Sequence, residues 1–204
     1  SRLTAADCTP AGFRRWCAML VFLDFEASSL SKHSYPIEVA WVFEDGRSEA
    51  HLIRPAPAWD DWDPRSEAIH HLSRARIEAE GAPHDQVARR MVEVLSGHDL
   101  LASAPSWDGK WLSALLRAAD LPRHSLRLRD TDAANAEAAA AVLRGVVPPD
   151  RLDEAVGNVL ALAEVRAPGT TPAHRALADA EEERQRWLAV QAAARAIAAR
   201  AGAE

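Results

Sequence analysis

The chain has 204 residues, 48% hydrophobic and 26% charged, with a net charge of −6. That length and balance suit one globular domain with a real core, and no apolar run is long enough to span a bilayer. The acidic charge argues against a protein that coats duplex nucleic acid, which usually needs a basic surface.

Residues 1–16 show no clear period and contain Thr9-Pro10-Ala11-Gly12, so 1–17 is expected to be an N-terminal extension and 18–204 a single domain. Cys8 and Cys17 lack metal-site spacing and are expected to be reduced thiols in a cytoplasmic protein. Arg14-Arg15 before an apolar run imitates a signal peptide. However, Asp24 and Glu26 follow where small residues would be needed for cleavage. Strands are expected at 18–25, 37–43 and 49–53, with Glu44-Asp45-Gly46-Arg47 as a hairpin turn, because Asp-Gly supplies the positive φ such turns need. A Pro-, Trp- and Asp-rich loop covers 54–64, and helices follow at 66–78 and 83–95. Residues 100–104 form a fourth strand. The helix 107–119 turns Trp111, Leu112, Leu115 and Leu116 inward, and 126–128 is a short fifth strand. The remainder is helical, at 133–143, 150–164 and 174–199. A three-strand meander followed by alternating strands and helices predicts an α/β fold, a mixed five-stranded sheet flanked by helices.

Three separated segments carry the chemistry. An apolar run, 19–23, leads into Asp24-Phe25-Glu26; two acids one residue apart at a strand end point to the same side. Ser106-Trp107-Asp108 opens a helix, and His174-Arg175-Ala176-Leu177-Ala178-Asp179 opens the last one. Buried carboxylates need positive charge nearby, and hard oxygen ligands suit Mg²⁺ or Mn²⁺. Histidine is the side chain suited to accept a proton from an attacking water near neutral pH, which makes His174 the candidate general base. Five residues along a helix rotate by about 140°, so His174 and Asp179 cannot share one face. His174 is therefore expected in the first turn or just before it, with Thr171 as cap and Pro172 at the first helical position.

Asp24, Glu26, Asp108, His174 and Asp179, in this order and setting, resemble the three motifs of the DEDDh (DnaQ-like) 3′–5′ exonucleases. The resemblance runs from about residue 19 to 179. It implies a ribonuclease H-like fold and a phosphodiester hydrolase that trims the 3′ end of single-stranded DNA or RNA, or of short oligonucleotides, to nucleoside 5′-monophosphates. It also implies that Asp24, Glu26, Asp108 and Asp179 hold two Mg²⁺ or Mn²⁺ ions, with His174 as general base. Two such ions stabilise the attacking and leaving oxygens of an in-line displacement. Ser28 and Leu30 resemble the segment that lines the terminal nucleotide, with Leu30 either a wedge beside the last base or plain packing. Ile69-His70-His71-Leu72-Ser73 resembles the family's Ile-His-Gly-Ile-Thr segment, which makes His70 a nucleotide-binding candidate. Glu38 resembles an acid often found in the second strand and is expected to be structural. Ala104 stands where many relatives carry Asn. Trp59, Trp62, Trp107 and Trp111 either stack on bases or fill the core. No membrane partner is expected, and a homodimer is compatible with the reading. Two alternatives stand beside it: a catalytically silent nucleic-acid-binding or polymerase-associated module of the same fold, and a small-nucleotide phosphodiesterase.

Overall fold

A computed structural model describes residues 18–164 and 174–201. The expected extension 1–17, with Cys8 and Cys17, lies outside the described residues, as do Thr171 and Pro172. The strands are β1 (Leu20–Ala27), β2 (Pro36–Phe43), β3 (Ser48–Arg54), β4 (Ala82–Pro83), β5 (Asp99–Ala102) and β6 (Leu128–Asp130). The helices are α1 (Pro64–His70), α2 (Arg74–Glu80), α3 (His84–Leu95), α4 (Pro105–Ala118), α5 (Thr131–Leu143), α6 (Leu152–Ala163) and α7 (Ala176–Ala201), with a 3₁₀ turn at Pro149–Arg151 before α6. The sheet order is β4-β3-β2-β1-β5-β6. β1, β2 and β3 form the antiparallel meander, and β5 and β6 extend it in parallel.

The sheet therefore has six strands where five are expected. The extra strand, β4, is two residues long and pairs in parallel with Ile53 and Arg54. A pair that short, one of them proline, leaves no alternation to read. The helix expected at 66–78 is two helices. His71 ends α1 at φ 58°, the left-handed cap position that glycine fills without strain, and Ser73 caps α2 by accepting from Arg76 N–H. Between them Leu72 is fully buried with Tyr35, Ile37 and Ile77.

Alternation along β1 divides the layers. Val21, Leu23 and Phe25 face a core shared with Val87, Met91 and Leu95 of α3 and Trp111, Leu112, Leu115 and Leu116 of α4. Phe22, Asp24 and Glu26 face the other way, toward α5 and α7, where Phe22 packs with Leu101, Ala134 and Trp187. No helix among the described residues is long and apolar enough to cross a membrane.

Candidate active site

One helix laid along one strand builds the site. Trp187 of α7 packs on Phe22 of β1, with ring centroids 6.2 Å apart. Four residues of helix rise about 6 Å and two residues of strand about 6.6 Å, so the side chains stay in step. Moving toward the end of β1, this stacking brings Glu183 to Asp24 and Asp179 to Glu26. The helix lies close because Ala176 and Ala180 are fully buried on that face and Ala40 stands opposite Asp24 on β2. Ala178, between them in the chain, is exposed.

Carboxylate oxygens of Asp24, Glu26 and Asp179 lie within 4.8 Å of one another. Asp108, in the first turn of α4, stands outside that trio but is the strongest charge acting on Asp24. Asp108 is only 2% exposed, and its Oδ2 has no hydrogen-bond partner. Burial, followed by repulsion from Asp108, Glu26, Asp179 and Glu183, pushes Asp24 well above the usual carboxylate range. Burial and Asp179 push Glu26 up to about 8, against a smaller opposing pull from Arg175. Burial pushes Asp108 up to about 7, with backbone hydrogen bonds at Ala104, Phe25 and Asp108 pulling back. Burial also raises Asp179, while the nearby His174 charge opposes it. Carboxylates crowded this way are held apart from their ionised state until a cation arrives. An all-oxygen donor set with an orphaned buried Oδ2 fits a hard divalent ion.

His174 directly precedes α7, exposed, with φ 47°. This agrees with the expectation that it lies outside the face carrying Asp179. Glu38 is 3% exposed and receives Arg175 Nε at 3.0 Å, Arg175 Nη2 at 2.6 Å and the Ala176 amide at 3.1 Å.

The softer candidates divide. Leu30 is 69% exposed. The Ser28 hydroxyl is fully buried, donating to Asp61 and accepting from Tyr35 N–H. Ser29 and Ser31 donate to the same Asp61, so the serines tie down the loop that carries Leu30. His70 is 2% exposed and its Nδ1 accepts from Leu72 N–H, leaving a buried Nε2 with no partner. Trp59 stacks on Tyr35 and Trp62 donates to Glu67, which commits both to the protein. Trp111 is core, whereas Trp107 is partly exposed beneath Lys110 Nζ, 4.9 Å from its ring centroid. Two residues go unnoticed in the sequence. Glu183 is signalled only by its four-residue spacing from Asp179, and Arg175 only by its place beside His174.

No protein-family model matches the chain, and no curated protein matches it. Solved structures do. The zinc-bound form of E. coli exonuclease I with single-stranded DNA is similar over 90% of this chain, with a TM-score of 0.58 and 17% identity. E. coli exonuclease I in complex with a dT13 oligonucleotide is similar over 82% of this chain, with a TM-score of 0.59 and 16% identity. The same enzyme with a dA16 oligonucleotide gives 0.58 and 16% over 81%. The chain spans about two fifths of the length of these proteins. At such identity the likeness speaks for architecture: the mixed sheet with its flanking helices is the ribonuclease H-like fold of exonuclease I.

Proposed function

We propose that this chain is a metal-dependent 3′–5′ exonuclease that removes nucleoside 5′-monophosphates from single-stranded ends. The observation that carries this reading is the convergence of Asp24, Glu26 and Asp179 within 4.8 Å, beside a buried Asp108 whose Oδ2 lacks a partner. Asp24, Glu26, Asp108 and Asp179 would hold two Mg²⁺ or Mn²⁺ ions. Bound there, the ions supply positive charge to the phosphoryl oxygens and acidify the attacking water.

The protein's own groups do the rest. His174 accepts the proton of the attacking water on an imidazole nitrogen; its exposed position before α7 leaves that ring open to solvent and substrate. Leu30, held out by the serine–Asp61 loop, lies beside the terminal base. Trp107, partly exposed in the turn that carries Asp108, offers a stacking face. Structures of exonuclease I with single-stranded oligonucleotides make single-stranded DNA the first substrate to test.

The test uses labelled single-stranded DNA and RNA with Mg²⁺ or Mn²⁺. A 5′-blocked strand should shorten one nucleotide at a time while a 3′-blocked strand resists. Cleavage of a circular single strand, or full activity in excess chelator, would refute the proposal. Binding without turnover would favour the silent module.

A further inference from the structure

The start of α7 is held by another part of the sheet. Helix N-termini leave orphan amides that a nearby side chain usually caps. Here the Ala176 amide, the first of α7, donates to Oε2 of Glu38, a residue 138 positions away on β2. The same carboxylate accepts from the Nε–Nη2 edge of the Arg175 guanidinium, at 3.0 and 2.6 Å. Glu38 lies directly across the ladder from Glu26, so the carboxylate that fixes α7 belongs to the residue pair that includes a metal-site glutamate. Immediately on either side of this contact stand the two groups that α7 contributes. His174, at φ 47°, precedes Arg175, and Asp179 N–H closes the first turn onto Arg175 carbonyl oxygen at 3.1 Å.

We infer that Glu38 and Arg175 are positioning residues: their bidentate pair pins the first turn of α7 to β2 and so sets His174 and Asp179 against Asp24 and Glu26. The inference rests on the exonuclease reading for its kinetic consequence, though not for its structural one. Arg175 acts through its neighbours, not on substrate. A planar fork is needed, because two parallel hydrogen bonds fix orientation where a single ammonium would fix only distance. The pair is half protected: Glu38 is buried, and the Arg175 side chain is 40% exposed and able to rehydrate when released.

The experiment compares Glu38→Gln and Arg175→Lys with the native chain. Three readouts are used: amide hydrogen exchange at residues 176–179, Mn²⁺ binding by calorimetry, and kcat against KM on a single-stranded oligonucleotide. Glu38→Gln should speed exchange at those amides at least about tenfold while leaving that of the β1 and β2 amides unchanged. Mn²⁺ affinity should fall about tenfold or more, as for other groups that orient ligands. kcat should fall about 10²-fold with KM little changed, the usual result of misplacing reacting groups by about an ångström. Arg175→Lys should show the same pattern, weaker. If Glu38→Gln fails to fold, Arg175→Lys decides. Native exchange at 176–179 in the folded variant overturns the inference. So does a kcat loss that tracks the unfolded fraction alone. An inactive native chain would instead refute the exonuclease reading, and the exchange measurement would still decide the pin.

Discussion

Stripped of metal, the protein should be most stable in mild acid and weaken as the pH rises toward 8. Glu26, Asp108, Asp24 and Asp179 all have carboxyls raised in the folded state, chiefly by burial. A raised folded-state value means that the folded chain holds protons the unfolded chain has released. The associated stability is fully present below the ordinary carboxylate values and is lost as the pH climbs through the folded ones. For Glu26 the window runs from its ordinary 4.5 to about 8. At about 1.4 kcal/mol per pH unit, Glu26 alone accounts for up to about 4 kcal/mol between roughly pH 5 and pH 8. For a chain of this size that corresponds to a fall in Tm on the order of 10 °C. Below about pH 4 the trend reverses. Glu49, hydrogen-bonded by Arg90, is held low. So is Asp61, where bonds from Ser29, Ser31 and Ser28 outweigh desolvation. Both lose their contribution as they protonate. The assay is thermal denaturation in chelator from about pH 4 to 8, repeated with saturating Mg²⁺. On the proposed metal-dependent reading, the ion would bind only the folded site and only its ionised ligands, so its stabilisation should grow with pH. A metal-free Tm that stays flat or rises from about pH 5 to 8, or a Mg²⁺ shift no larger at the alkaline end, would refute the reasoning.

Asp24→Ala or Asp108→Ala should abolish turnover and weaken metal binding, yet raise the metal-free Tm at neutral pH, since each relieves repulsion within the cluster; calorimetry and denaturation check both halves. His174→Ala should keep metal binding and lose about 10²–10⁴-fold in rate, with residual turnover climbing with pH as hydroxide replaces the base. Loss of metal binding equal to that of Asp24→Ala would make His174 a ligand instead. A fold control lies at the β3–β4 edge of the sheet, two strands removed from β1. A Cβ at Gly81 would clash with the Ile77 carbonyl oxygen and meet Arg54 nitrogen at 2.6 Å. Gly81→Ala should therefore cost about 1–3 kcal/mol of stability through backbone clash, read as a lower denaturant midpoint, with residual activity per folded molecule near native.

The chain by itself determined the order of elements and the residues able to do chemistry. Strict alternation put Asp24 and Glu26 on one face of β1, and the inward set Trp111, Leu112, Leu115 and Leu116 is buried as its spacing predicts. The 140° rotation placed His174 off the Asp179 face, and it precedes the helix in a left-handed conformation. These are local properties, fixed by the periods of strand and helix. What tertiary structure decided involves distant segments. β4 exists only because two residues fall beside β3, and the break between α1 and α2 follows from burying Leu72. Ser28 and His70 carry suitable side chains, but packing turned both inward, toward Asp61 and the Leu72 amide. Glu183 and the Glu38–Arg175 pair joined the site because α7 lies along β1 in matching steps, bringing residues 137 and more positions apart into register. No pattern within one segment encodes such a meeting, since it depends on which faces pack and not on the period of either.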